Sequence, residues 1–254
     1  MLKKTNFILA LLPLLCWACV RDEVAIPDDP NQEVVRDSVF DLTILEPSDL
    51  TFTASGSSFL TVSDNTGKIY ELSKKGDVLK TFDFVGTDLE GICIDKTNGD
   101  MYVAEEKKSQ IVQLSSLGIL KQTLKLPNYQ TSDTNSSFEG LSKNGDTLYI
   151  VKEKNPGLLI KFNLVSKIWT SVSLTFALDY SAISYDASDK TLWILSDESQ
   201  TLFHCDLNGK PFSKQTVNVT QPEGIAIDHL ANCAWLVGDI DKRLFKIILK
   251  QITL

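Results

Sequence analysis

The chain has 254 residues, a hydrophobic content of 43% and a formal net charge of −8. This hydrophobic content is sufficient for a sizeable core. The negative charge argues against binding to nucleic acid or to anionic lipid headgroups, because both require basic patches. We therefore expect no nucleic-acid partner, and the charge favours cations or basic partners.

The N-terminus has the pattern of a secretory leader. Lys3 and Lys4 precede an apolar run at residues 7–18. That run is shorter than the roughly 20 residues that a bilayer-spanning helix needs, and it fits a signal-peptide core. Ala18 followed by Cys19 is typical of a lipoprotein cleavage site. We predict a signal peptide at residues 1–18 and lipidation of Cys19, with a plain secretory cleavage nearby as the alternative.

Residues 19–37 are acidic, contain two prolines and show no apolar period. Such a segment is typical of a tether that has no core of its own. Anchored through Cys19, it would hold a folded domain near a membrane. We expect a bacterial lipoprotein of the cell envelope, on the outer membrane or the cell surface.

The remaining residues, 38–254, repeat one template five times. Each copy is a short apolar run that ends in a carboxylate, and the spacings between the carboxylates are 42, 47, 44 and 42 residues. A period of this length, built from β-rich runs, is typical of propeller blades. The five acids are Asp64, Glu106, Glu153, Asp197 and Asp239.

A second phrase lies upstream of the first in every repeat. Three copies contain Glu-Gly, at Glu90, Glu139 and Glu223, and we align Asp49-Leu and Ser181-Ala with them. Its period matches that of the first phrase, so the repeat does not depend on one motif.

Each repeat supplies four strand-like runs separated by turn signals. In the second repeat these runs are residues 91–95, 101–104, 111–114 and 120–126. Apolar β-branched runs between turns are typical of strands buried on both faces. We predict an all-β, five-bladed β-propeller of four-stranded antiparallel blades over residues 38–254. The last repeat is short, so residues 38–45 are expected to complete the fifth blade and close the ring.

In an up-and-down blade, the first strand begins and the second strand ends on the same face. The two sets of acids should therefore converge on one mouth of the channel. Clustered carboxylates repel each other unless a cation or protons neutralise them, and Ca²⁺ takes six to eight oxygen ligands. We predict a divalent-cation site there, with calcium as the expected ion. Its ligands would be Glu90, Glu139, Glu223, Glu153, Asp197 and Asp239.

Two other interpretations of these acids remain open. In the first interpretation, the acids are ordinary solvated turn residues, and Gly is retained beside Glu for close packing. In the other, nearby lysines neutralise part of the ring, namely Lys107, Lys108, Lys152 and Lys154.

The cysteines and histidines give no clear catalytic or metal pattern. We expect Cys93 to be buried, and a bridge between Cys205 and Cys233 is one possibility. His204 and His229 lack ligand spacing, so no zinc site is expected. The longest insertion, residues 127–137, is flanked by Tyr129 and Phe138. It would form a lid or a glycan- or peptide-binding rim beside the mouth, with a plain polar loop as the alternative.

Several phrases resemble the SdiA-regulated family of envelope β-propellers. They are the motifs at residues 138–141, 148–156, 181–186, 192–199 and 221–228. The resemblance spans roughly residues 40–250 and implies calcium binding at Glu90, Glu139 and Glu223, with Glu153 and Asp197 as contributors. It implies no enzymatic activity.

The favoured function is a non-catalytic, membrane-tethered and calcium-responsive interaction protein whose partner is an envelope protein or glycan. The alternative is a calcium-dependent hydrolase of phosphate or ester bonds, in which a metal activates water. Because neither histidine is well placed, its general base would be Glu or Asp.

Overall fold

In the computed structural model, residues 36–250 are described. They form five four-stranded antiparallel sheets, which are the blades of a β-propeller. The predicted fold class is therefore confirmed. Within this range, no helix has the length and apolar character needed to cross a membrane.

The twenty strands follow one another from the channel outwards in each blade, and a short 3₁₀ turn at Glu106–Lys108 is the helical element of residues 36–250. Blades one and two contain β2 Pro47–Phe52, β3 Phe59–Ser63, β4 Lys68–Leu72, β5 Val78–Val85, β6 Leu89–Ile94, β7 Met101–Glu105, β8 Gln110–Leu114 and β9 Leu120–Leu124. Blades three and four contain β10 Phe138–Asn144, β11 Thr147–Lys152, β12 Leu158–Asn163, β13 Trp169–Ser173, β14 Ala182–Asp186, β15 Thr191–Ser196, β16 Thr201–Cys205 and β17 Pro211–Thr216. Blade five contains β18 Pro222–Asp228, β19 Cys233–Gly238, β20 Arg243–Ile248 and, as its outer strand, β1 Arg36–Asp41.

Strands from both ends of the chain close the ring. β1 pairs antiparallel with β20, and Val39 lies opposite Phe245. The predicted closure is correct, although β1 ends at Asp41 instead of continuing to residue 45. Closure this way leaves blade five as complete as the others and covers an edge that would otherwise be free to pair.

The core lies between neighbouring blades. Strand β7 is buried at all five positions, whereas the outer strand β9 is exposed at four of its five. This gradient explains why the second strand of each repeat is the most apolar run in the sequence. All three cysteines of residues 36–250 are buried and free. The bridge considered between Cys205 and Cys233 is therefore absent.

Glycine allows the inner strands to approach each other closely around the channel. A Cβ added to Gly140 would lie 2.6 Å from both the Ala182 Cα and the Ile183 nitrogen. A Cβ at Gly224 would lie 2.6 Å from the Asp49 carbonyl carbon. The packing role considered for the Glu-Gly phrase is thus present, beside any role of the glutamates.

Replacing Gly140 with Ala is expected to lower the free energy of unfolding by about 1–3 kcal/mol, because the new methyl group meets fixed backbone. Denaturant titration measures this change. A second substitution, Ala182→Gly, should fail to restore stability, since the clash involves backbone atoms of residues 182 and 183. Full rescue by that substitution would contradict this explanation.

Candidate metal centre at the channel mouth

Eight carboxylates surround one cavity of about 240 Å³ at the end of the channel where the inner strands begin. We call this space the mouth cavity. Ser48 and Asn135 complete its lining. The eight acids are Glu46, Asp64, Glu90, Glu106, Glu139, Glu153, Glu223 and Asp239. The convergence of the two repeated phrases on one mouth, which the sequence predicted, is thus present in the structure.

One residue at the start of each inner strand occupies an equivalent position at the mouth. These residues are Ser48, Glu90, Glu139, Ser181 and Glu223. In β2, Pro47 pairs with Ser63 and Leu50 with Thr61, and a register shift lies between them. In β6, Leu89 pairs with Glu105 and Ile92 with Val103. Ser48 therefore corresponds to Glu90, and Asp49 corresponds to Gly91. The alignment of Asp49 with the glutamates was wrong by one residue.

Asp49 lies in the channel axis, away from the mouth cavity. Its side chain is buried and accepts hydrogen bonds from the backbone N–H groups of Leu50 at 2.7 Å, Ile92 at 2.8 Å and Leu141 at 3.4 Å. Burial raises the pKa of this carboxyl well above its usual range, and the backbone N–H groups oppose the shift. One side chain from blade one thus binds the inner strands of blades two and three, where a glycine could not.

The three inner glutamates are half-buried and carry raised pKa values. Burial is the main cause in each case. For Glu90 the next cause is the charge of Asp64, and for Glu139 it is the charge of Glu90. The pKa of Glu223 rises to about 8, through burial and then the charge of Asp197. Burial and mutual repulsion thus favour protonation, or a bound cation, at this position.

The second-strand acids occupy equivalent positions just beyond the ends of their strands. The backbone N–H of Asp64 donates to the Glu46 carbonyl at 3.2 Å, and those of Glu106 and Asp239 make the same type of bond in blades two and five. Asp197 is the exception among the predicted ligands. It does not line the mouth cavity, but its backbone N–H donates to Asp179 Oδ2 at 3.2 Å, and its pKa is raised to about 6 by burial and by the charge of Asp179.

Two pairs of acids are close enough to share a proton. Asp64 forms a side-chain hydrogen bond with Asp88, and its pKa is raised to about 6, first by burial and then by this neighbour. Glu106 and Glu139 form a second pair, and burial is the main cause of the raised pKa of each carboxyl. The hydrogen bond between them adds to the rise for Glu139 and opposes it for Glu106. A proton held between two carboxyl groups occupies a place that a cation can take.

The lysines form ion pairs with acids at the rim, and the charge of Lys152 also acts on Glu139 without an ion pair. Lys107 Nζ lies 2.5 Å from Asp88, and Lys154 Nζ lies 2.7 Å from Glu153. Lys108 pairs with Glu105, and Lys152 donates to the Lys154 carbonyl. Within residues 36–250, no lysine or arginine forms an ion pair with the three inner glutamates. Neutralisation by lysine is therefore partial.

Sequence reasoning missed a third set of polar residues. Each lies two positions before the glutamate or serine at the inner position of its blade. Asp88 precedes Glu90, and Glu46 and Asp179 precede Ser48 and Ser181 in the same way. Oxygens of Asp64, Asp88 and Glu90 all lie within 4.8 Å of one another. The signal was available as an acid-x-Glu or acid-x-Ser spacing, but the misplaced Asp49 concealed it.

The two aromatic residues beside the long insertion differ in exposure, because Phe138 is buried and Tyr129 is partly exposed. Phe138 is fully buried, and its ring centroid lies 4.9 Å from that of Tyr129. Tyr129 also packs edge-on against Trp169 at 5.8 Å. The insertion contributes Asn135 to the mouth cavity instead. Phe138 therefore cannot serve as a rim residue, whereas a binding role for the half-buried Tyr129 stays a prediction.

Comparison with known proteins supports the propeller and its family. The SdiA-regulated family model matches residues 42–239. The chain belongs to the SdiA-regulated family. Its match extends over parts of all five blades, including the inner strands that carry Glu90, Glu139 and Glu223.

Solved structures with the same fold include two proteins whose names describe enzymes. Myxococcus xanthus glutaminyl cyclase superposes with a TM-score of 0.69 at 14% identity, covering 87% of this chain and 97% of the cyclase. A streptogramin B lyase superposes with a TM-score of 0.51 at 16% identity, covering 84% of this chain and 73% of the lyase. At such identities, the similarity shows the fold alone.

Proposed function

We propose that this SdiA-regulated propeller is a non-catalytic, membrane-tethered protein that binds Ca²⁺ at the mouth cavity and responds to it by changing its affinity for an envelope partner. The observation that supports this most directly is that eight carboxylates line one cavity of about 240 Å³. Among the ion pairs of residues 36–250, none involves Glu90, Glu139 or Glu223. Oxygen-rich and half-buried sites of this kind suit a hard cation.

Calcium binding replaces protons as the means of neutralising the mouth. Without the metal, shared protons in the pairs Asp64–Asp88 and Glu106–Glu139 reduce the repulsion. Ca²⁺ binds the ionised forms, so these protons leave as the metal enters. The exchange changes the charge and order of one whole face, which is a physical basis for switching a partner that docks there. The partner is an envelope protein or glycan.

Tethering through a lipid on Cys19 and export by residues 1–18 belong to the same proposal, although they lie outside the described residues. The acidic segment at 19–37 would carry the propeller at a distance from the membrane. The expected location is the outer membrane or the surface of a bacterial cell.

Calorimetric titration of Ca²⁺ into chelator-treated full-length protein tests the site. We expect saturable binding that is lost in the variant Glu90→Gln, Glu139→Gln, Glu223→Gln. A control with the same charge change uses the exposed acids Asp77, Asp83 and Asp146, each replaced by Asn, and should bind as the parent does. Equal binding by parent and mouth variant would refute the site, and equal partner capture with and without calcium would refute the response.

A calcium-dependent hydrolase is the second candidate, and the raised pKa values of two mouth acids support it. Glu223 and Asp64, with pKa values raised to about 8 and about 6, titrate near neutral pH and so suit general acid or base roles beside a metal. A screen of phosphoesters, esters and lactones with calcium present separates the candidates. Turnover that disappears in the mouth variant would replace the non-catalytic interpretation.

A further inference from the structure

Both histidines of the chain converge on one pair of aspartates, on the face opposite the mouth cavity. His229 Nδ1 lies 2.9 Å from Asp186 Oδ2, and His204 Nε2 lies 3.2 Å from Asp189 Oδ2. The sequence separates these residues by up to 43 positions and shows no ligand spacing. The lack of spacing along the chain therefore concealed a cluster that forms between blades four and five.

The cluster has the dimensions of a metal site. One ligand atom each from Asp186, Asp189 and His229 lies within 4.8 Å of the other two. Asp186 ends β14 and Asp189 lies in the following turn, while His229 follows β18 in the next blade. We propose that these three residues form a second cation site, for a borderline divalent metal such as Zn²⁺.

The donor set determines the class of metal. An imidazole together with two carboxylates suits Zn²⁺, Co²⁺ or Ni²⁺, whereas Ca²⁺ takes oxygen ligands alone. The two sites of this protein thus differ in chemistry as well as in place. Binding at the second site does not depend on the proposed calcium function.

Neighbouring groups already orient both carboxylates. Asp186 Oδ1 accepts the Ser188 backbone N–H at 2.8 Å, and Asp189 Oδ1 accepts the Thr191 hydroxyl. The opposite oxygen of each carboxylate therefore points to a histidine. Hydrogen bonds of this type to ligand carboxylates hold them in a binding geometry.

His204 acts as a positioning residue. It is 3% exposed, and its ring stacks on Trp193 with centroids 3.9 Å apart. Nε2 contacts Thr191 at 2.7 Å and Asp189 at 3.2 Å, while Nδ1 is buried without a hydrogen-bond partner in the described part of the chain. Burying a ring nitrogen without a hydrogen-bond partner is unfavourable. We infer that this cost is offset because the Nε2 contact orients Asp189.

The site opens towards solvent on one side. Asp186 and His229 line a cavity of about 400 Å³ that Tyr185 and Lys96 also border. Three protein ligands leave one position of a tetrahedral ion unfilled. Water, or an anionic group drawn by the metal and Lys96, would occupy this position.

Titration of Co²⁺ into full-length protein, followed by displacement with Zn²⁺, tests the proposal through the visible absorption of bound cobalt. We expect one saturable site in the parent and at least tenfold weaker binding in His229→Ala. His229 is half exposed, so this variant should fold, and circular dichroism checks that it does. The control Asp83→Asn, an exposed acid on blade one, should bind as the parent does.

Two results distinguish this site from the mouth. The variant with Gln at positions 90, 139 and 223 should keep cobalt binding, and millimolar Ca²⁺ should not compete. Absence of saturable cobalt binding in the parent, equal binding in His229→Ala, or loss of binding in the mouth variant would each overturn the proposal.

Discussion

Saturating Ca²⁺ is expected to raise the melting temperature of the full-length protein by about 5–10 °C at pH 8, and by much less at pH 5. A ligand at one hundred times its dissociation constant stabilises a protein by about 2.7 kcal/mol. For a domain of this size, each kcal/mol shifts the melting temperature by roughly 2–4 °C. Scanning fluorimetry or calorimetry over this pH range measures the effect.

The raised pKa values determine how the stability of the metal-free protein changes with pH. Unfolded Asp and Glu titrate near pH 4, whereas folded Asp64 and Asp197 titrate at about 6 and Glu223 at about 8. Their contribution to stability is fully present below pH 4 and is lost as the pH rises through 6 and then 8. Metal-free protein should thus become less stable between pH 5 and pH 8, where Ca²⁺ gains its ionised ligands.

The mouth variant separates repulsion from a general charge effect. With Gln at 90, 139 and 223, the metal-free protein should melt higher than the parent at pH 8 and should not respond to Ca²⁺. The control with Asn at exposed positions 77, 83 and 146 should keep the calcium response. A parent whose melting temperature is the same with and without Ca²⁺ at pH 8 would exclude the mouth as a calcium site.

Replacing Asp49 with Ala should lower the free energy of unfolding by about 3–9 kcal/mol, because three buried N–H donors lose their acceptor at about 1–3 kcal/mol each. The donors are the backbone groups of Leu50, Ile92 and Leu141. A loss of this size is a large fraction of the stability of a typical domain. Urea unfolding of parent and variant measures it.

Two further variants make the Asp49 result interpretable. Asp49→Asn keeps one acceptor oxygen and should fall between Ala and the parent, even if the Ala variant does not fold. Ser48→Ala, the adjacent residue at the mouth, should cost less than about 1 kcal/mol. If Asp49→Asn and Asp49→Ala both unfold with the parent's midpoint, Asp49 does not hold the inner strands together.

The repeat and the blade boundaries could be predicted because they are local properties of the sequence. Strand, turn and strand recur every 42–47 residues, and the acids after the second strands, such as Glu106 and Asp239, keep one place in this pattern. Strand β7 at Met101–Glu105 matches the predicted residues 101–104 within one position. Such patterns arise from side-chain alternation and turn chemistry, which involve near neighbours only.

The inner register was decided by packing around the axis. The inner strands of blades one, two, three and five each contain a register shift beside the Glu-Gly position. A shift of one residue reverses the direction of every following side chain. Sequence spacing alone could not tell whether Ser48 or Asp49 faces the mouth, and so Asp49 was assigned to the wrong set.

By itself, the sequence determined the five-bladed fold, its closure by both chain ends and the convergence of acids on one mouth. Only the tertiary structure decided which acids lie close enough to share a proton, that Asp49 binds the inner strands around the axis, and that His204 and His229 contact the same pair of aspartates. The physical reason is that backbone pattern and turn residues act over a few positions, whereas desolvation, proton sharing and metal geometry depend on atoms that distant blades bring within a few ångströms of each other.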